Sequence, residues 1–280
     1  MTTPPDFLLV GHITADLTPN GRIAGGTVSY AVRTAAAFGL KVAVLTSTAV
    51  DEPLLAEITP FAEVVSLPAD QTTTYENIYT PSGRVQYVRG VAAPITAADI
   101  PDAFKKARLV HFAPIAGELD PRVAFEFPDA WKLLTLQGWL RRWDADGRVH
   151  FRRFDHPEAI QAIGTVVFSE EDIVEAPDIE EEYRHLADHL VVTRAERGGT
   201  YYQGGVPQSY DTPHVTLVNQ TGAGDVFASA LLASLPALNY DFKRALKVAA
   251  YLGALSVTRV GLSSAPTPEE VQGAFMQVRA

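Results

Sequence analysis

No cysteine occurs among the 280 residues, which excludes disulfides, thiolate nucleophiles and thiolate metal sites. Positive charge is scarce as well: 33 acidic residues against 23 lysines and arginines leave a formal charge of −10. A surface of that sign repels a polyanionic backbone, so nucleic acid is not expected as a partner. Long apolar runs are also missing. The most apolar stretch, Ala35–Val50, is interrupted by Gly39 and Lys41 and is too short to span a bilayer, so no membrane partner is expected. Ahead of the strand-like Phe7–Val10 there is no basic region followed by an apolar core and a cleavage site, and a cytoplasmic location is expected. Finally, no Gly-x4-Gly-Lys-Ser/Thr loop is present, which excludes a Walker-type nucleotide site.

What is there suits one α/β domain over residues 1–280: 47% of residues are apolar and 20% charged, enough to bury a full core. Strand candidates are Phe7–Val10, Val42–Thr46, Val64–Leu67, Leu109–Phe112, Leu133–Leu136, Val166–Phe168 and Leu190–Thr193. Helical patterns fall between them at Val28–Phe38, Asp51–Ile58, Asp99–Ala107, Pro121–Phe127, Pro157–Ile163 and Glu180–Ala187. Continuous apolar strands separated by helices imply a mostly parallel sheet covered on both faces. Thr72–Thr80 and Arg84–Arg89 alternate polar and apolar residues around Pro81-Ser82-Gly83, the signature of a half-exposed hairpin. With a short strand pair from Ile13–Ala24 it would form a lid of about residues 12–25 and 71–90, or else a decorative edge. On that hairpin Asn77 alternates with Tyr75 and Tyr79 and could face an acceptor.

The most informative segment is Asn219-Gln220-Thr221-Gly222-Ala223-Gly224-Asp225, between the β-branched His214–Val218 and the apolar helical run Val226–Leu235. Strand, glycine turn, helix is the predicted order. Two glycines let successive N–H groups converge where a helix begins, which is where an anion is favoured. Asp225, in the first turn, is superfluous for binding an anion. It is apt for orienting a hydroxyl and taking its proton during phosphoryl transfer. The bland alternative is a close helix–strand contact with Asp225 as a dipole residue.

With these pieces in order, the chain resembles the ribokinase-like (PfkB) carbohydrate kinases over essentially its whole length. The family's C-terminal Asp-Thr-x-Gly-Ala-Gly-Asp is matched at Thr221 and from Gly222 to Asp225; its Gly-Gly pair opening a helix is matched by Gly25-Gly26. Its sugar-binding aspartate after the first strand is matched by Asp16, and its Thr-x-Gly-x-x-Gly turn is similar to Thr193–Gly198. The resemblance implies a three-layer sandwich with a central, mostly parallel sheet and a small β lid, and a requirement for ATP and Mg2+. It implies Asp225 as the base, with the N–H groups of Gly222, Ala223 and Gly224 stabilising the transferring phosphoryl group. It puts Asp16, Gly25 and Gly26 at the acceptor. It puts Thr193, Glu196, Gly198, Thr221 and Ser169 at ATP, with Leu246–Ser263 forming the adenine slot.

Three departures matter. Asn219 replaces the leading aspartate of the signature and leaves K+ activation open. The magnesium motif Asn-x-x-Glu reads Ser169-Glu170-Glu171-Asp172, so Asp172, with Glu171 beside it, would hold Mg2+ through water. Tyr30 stands where ribokinases place a sugar-binding asparagine, which argues against ribose. Gln137 follows a strand at its C-terminal end, where α/β ligand sites form, and is an acceptor candidate; Glu118 is a weaker one.

The remaining clusters read as structure. His185 and His189 share i,i+4 spacing on a helical pattern without a third ligand. Glu180–Glu182 suits an acidic first turn, and Asp144–Gly147 a turn rather than a calcium loop. Trp139, Arg141, Arg142 and Trp143 are too few for a nucleic-acid surface. The expected protein is therefore a kinase acting on a hydroxyl of a small polyol (sugar, cyclitol such as inositol, or nucleoside), as a monomer or homodimer. Its rival is a catalytically silent sugar- or nucleotide-binding protein of the same fold, which Asn219 and Ser169 keep in play.

Overall fold

A computed structural model describes residues 4–80 and 83–279. The chain starts with β1 (Phe7–Val10), leaves the main body for β2 (Thr14–Thr18) and β3 (Gly21–Gly25), and returns through α1 (Gly26–Ala37), β4 (Val42–Ala49) and β5 (Glu63–Ala69). It leaves again as β6 (Thr74–Thr80) and β7 (Gly83–Gly90), then lays down β8 (Leu109–Phe112) and β9 (Trp131–Thr135). A short hairpin, β10 (Arg141–Trp143) and β11 (Val149–Phe151), precedes α2 (Pro157–Ile163), β12 (Gly164–Ser169), α3 (Asp178–Leu186), β13 (His189–Thr193), β14 (Gly199–Gln203) and β15 (Val206–Tyr210). Three helices finish the chain: α4 (Ala223–Ser234), α5 (Phe242–Ser256) and α6 (Pro268–Arg279).

The central sheet has nine strands in the order β15-β14-β13-β12-β9-β8-β1-β4-β5. Every pairing from β13 to β5 is parallel, and β14 and β15 add an antiparallel edge. Alternate residues feed two cores, as strand geometry requires. Phe7, Leu9, Val42, Val44, Leu133 and Val191 face α1, α4 and α5. Leu8, Val10, Ala43, Leu45, Leu134 and Val192 face α2, α3 and the turns of the other layer. Helix α4 is buried along its whole length after the first turn, which explains why its sequence is apolar all round. A second sheet, β3-β2-β6-β7, stands apart from the first. The β10–β11 hairpin is tied to it where Val88 N donates to Gly147 O at 2.8 Å.

Several expectations are corrected. Asp51–Ile58, Asp99–Ala107 and Pro121–Phe127 contain only short 3-10 turns, at Pro53–Glu57, at Ala97–Asp99 and Phe104–Lys106, and at Pro121–Glu126. Pro101 interrupts the middle segment, and Pro60 and Pro128 close the other two, because the residue before a proline avoids the helical region. His214–Val218 is an exposed loop rather than a strand: β15 already forms the sheet edge, and β-branched composition makes no strand without a neighbour. His185 ends up in α3 while His189 opens β13, so they do not share a helix face. The strands flanking the Pro81–Gly83 turn are formed; residues 81–82 of that turn lie outside the described residues.

Candidate active site

At the front of α4, Gly222 adopts φ +85°, a left-handed conformation that only glycine enters without strain. The ring of Tyr30 lies so close that a Cβ on Gly222 would sit 2.4 Å from it. Val226 N donates to Gly222 O at 2.9 Å and Ala223 N to Gln220 O at 3.2 Å. The Ala223 N–H is thus already used within the turn, and the N–H groups of Gly222 and Gly224 have no protein acceptor among the described residues. Two unused donors beside a helix N-terminus are the kind of group that can receive an anion. Asn219 shapes the approach: its Oδ1 accepts Thr221 N at 2.8 Å, and the N–H groups of Val218 and Asn219 both donate to Val257 O. The asparagine thus does the turn-forming work open to either Asn or Asp.

Asp225 follows in the first turn of α4, half-buried. Its Oδ1 accepts a 2.7 Å hydrogen bond from Thr27 Oγ1, brought there because α1 and α4 lie side by side. Burial is the main cause that raises its pKa to about 6; the nearby Asp172 and Asp16 push the same way, and the Thr27 hydroxyl and Arg141 pull it down. A carboxylate titrating near neutrality suits a general base. Asp16 lies at Gly25, where a Cβ would sit 2.3 Å from Asp16 Oδ2; any larger residue would displace that carboxylate. Tyr30 is buried, and desolvation with the charges of Asp225 and Asp16 raises its pKa far out of range, so the phenol stays protonated.

Opposite, Ser169 and Asp172 cap each other across the turn at Glu170–Ile173. Asp172 Oδ2 accepts Ser169 N at 2.9 Å, and Asp172 Oδ1 accepts Gln137 Nε2 at 3.3 Å. Gln137 is therefore joined to the acidic turn. Glu170 is occupied by Arg194 and Arg197, and Glu180 by Arg194; Glu171, Asp172 and Glu175 line a cavity of about 400 Å³ with Gln137, Arg141 and Gln86. Asp225 does not line that cavity. Among the described residues no group of three or more His, Asp or Glu side chains could hold a metal ion. Thr193 is the register partner of Ser169 across β12 and β13, so the two lie side by side; Glu196 is exposed beyond them and Gly198 buried. Thr221 is exposed beside Asn219.

Asn77 stays on the second sheet, with its Oδ1 accepting Gln86 Nε2 at 3.0 Å. Tyr75, on the same face of β6, is buried and donates to Ile115 O at 2.6 Å. Glu118 does not face an acceptor: it is buried and accepts the N–H groups of His12, Ile115 and Ala116. It staples the loops after β1 and β8. Two residues escaped the sequence reading, Thr27 and Arg141. Thr27 was signalled by its place directly after Gly25-Gly26; Arg141 was masked by its tryptophan and arginine neighbours.

Residues 156–270 match the model of the pfkB family carbohydrate kinases. Over that segment the chain is similar to the pfkB family carbohydrate kinases. A probable fructokinase-4 of Arabidopsis thaliana is 38% identical over 90 residues, 30% of this chain and 28% of the relative, so the match spans less than a third of that relative's length. A pyrophosphate-dependent kinase of the ribokinase family, solved with a pyrophosphate analog and myo-inositol, superposes with a TM-score of 0.79 at 21% identity, covering 95% of this chain and 99% of that one. A ribokinase of Arabidopsis thaliana with ribose and ATP gives 0.74 at 16% identity, with 98% and 99% covered. Among the described residues no helix is long and apolar enough to cross a membrane.

Proposed function

We propose that the protein is a kinase that transfers the terminal phosphoryl group of magnesium-bound ATP to a hydroxyl of a small polyol. The observation that carries this reading is Asp225, its pKa raised to about 6 at a glycine turn with unused N–H groups and held by Thr27. The acceptor's hydroxyl oxygen forms the new P–O bond, the bond to the leaving diphosphate breaks, and the hydroxyl proton passes to Asp225. Gly222 and Gly224 offer N–H donors to the developing charge. Asp172 and Glu171 would hold Mg2+ through water; bound there, it would neutralise charge on the donor phosphates.

Acceptor contacts fall to Asp16, Gly25, Gly26, Tyr30, Asn77 and Gln137, and the β3-β2-β6-β7 sheet acts as a lid that excludes competing water. Thr193, Glu196, Gly198, Thr221 and Ser169 serve the nucleotide. The bulk of Tyr30 against Gly222 supports an acceptor other than ribose. Pyrophosphate and myo-inositol, bound by one structural relative, join the candidates to be offered.

The test is ADP or phosphate release from Mg·ATP and Mg·pyrophosphate against pentoses, hexoses, cyclitols and nucleosides, with and without K+. Stimulation of ATP turnover by one acceptor class is expected. Binding of ATP by calorimetry with no transfer to any acceptor would overturn the reading in favour of a catalytically silent binding protein.

A further inference from the structure

Arg141 begins β10 directly after the Leu136–Leu140 turn, the same turn whose Gln137 reaches Asp172 at 3.3 Å. Its guanidinium is fixed from two sides. Nη1 donates to Ile115 O at 3.1 Å, and the guanidinium carbon lies 5.4 Å from the centre of the Tyr75 ring. Tyr75 donates to that same carbonyl, so ring, carbonyl and cation form one braced corner. Other arginines are paired, Arg142 with Asp144, Arg153 with Asp178 and Glu182, and Arg194 with Glu170 and Glu180; Arg148, which lines the same cavity as Arg141, is not among the ion-paired arginines. For Arg141, half-buried in a chain of net charge −10, no carboxylate lies within ion-pair distance among the described residues. It lines the cavity that Glu171 and Asp172 line from the other side, and its field opposes those of Asp172 and Asp16 at the Asp225 carboxyl.

A guanidinium held this way keeps most of its five N–H donors for a planar or tetrahedral anion. A polyol is neutral; the group in transit between donor and acceptor is the anion. We propose, on the basis of the kinase reading above, that Arg141 is a catalytic residue whose free N–H groups contact the non-bridging oxygens of the phosphoryl group as it transfers. It exchanges no proton. The P–O bond to the leaving group breaks, the bond to the acceptor oxygen forms, the proton goes to Asp225, and Arg141 offsets the charge spread over the three oxygens.

The experiment compares wild type with Arg141→Gln, Arg141→Lys and Arg141→Ala on the acceptor the wild type uses, separating kcat from KM. Loss of a contact made in the transition state lowers kcat for Arg141→Gln by about 10²–10³-fold and leaves the acceptor KM within about threefold. Arg141→Lys regains about tenfold of the loss, because the charge returns without the fork. Guanidinium chloride added to Arg141→Ala raises its turnover and leaves wild type unchanged. Thermal unfolding of Arg141→Lys checks that the corner still folds. A kcat for Arg141→Gln within about threefold of wild type, or a loss confined to KM, overturns the proposal while leaving the kinase reading intact. Wild type that transfers phosphate to no acceptor overturns both.

Discussion

Of the carboxylates drawn into the protein, Glu52 and Asp225 are treated in opposite ways. Glu52, just before the Pro53–Glu57 turn, is only 5% exposed. It accepts from Arg22 of β3 at 2.6 Å, from Leu54 N at 3.3 Å and from the hydroxyl of Thr72 ahead of β6. Desolvation is the largest single influence on it and raises its pKa, but the bonds from Thr72, Arg22 and Leu54 together win and hold it below the usual value. Asp225 receives one hydroxyl, and burial pushes it up to about 6. The first carboxylate is satisfied and joins both segments of the second sheet to the main body. The second receives one hydroxyl bond and sits at a turn with two unused N–H donors. A fully bonded buried carboxylate is structure; an under-bonded one beside free donors is poised for chemistry.

The sharpest way to break this contrast is Asp225→Asn. Turnover should fall by at least about 10³-fold, while the thermal midpoint stays level or rises because a poorly solvated charge is gone. Wild-type turnover in that variant would remove the base assignment. The pH dependence should differ in sign as well. For Asp225 the folded pKa is raised, so the ionised base, and with it kcat/KM, is lost as pH falls through about 6. For Glu52 the folded pKa is lowered, so its stabilisation is present above the unfolded value of 4.5 and is lost as pH falls through the lower folded value. An acid limb of kcat/KM centred well below pH 5 would undo the argument for Asp225. The smallest effect belongs to Glu52→Gln. It should cost about 1–3 kcal/mol of stability by chemical denaturation, the Arg22 side being exposed and screened, with kcat changed little. A collapse of kcat with stability intact would mean that Glu52 acts in the site after all.

The legibility of these features followed the range of the interactions that make them. The strands Phe7–Val10 and Leu109–Phe112 were read residue for residue, because continuous apolar runs need only their own composition. The glycine turn and Asp225 were legible because φ > 0 and N–H convergence are local properties. The strand expected at His214–Val218 failed because a strand needs an edge to join, and β15 had taken it. The hairpin of β10 and β11 was missed because three-residue strands carry too little pattern. Glu118 looked like a ligand contact by its position after a strand; only the backbone donors folded around it showed that it was spent.

By itself, then, the sequence determined the alternation of elements, the two glycine turns and the carboxylates near them, since all of these are encoded within a few adjacent residues. The tertiary structure decided which polar groups are already satisfied. Thr27 meets Asp225 across 198 positions of sequence, and Arg141 meets Ile115 across 26. No short-range rule specifies such pairs, because packing of α1 on α4 and of the β9 turn against the loop after β8 is what brings the partners within hydrogen-bond reach.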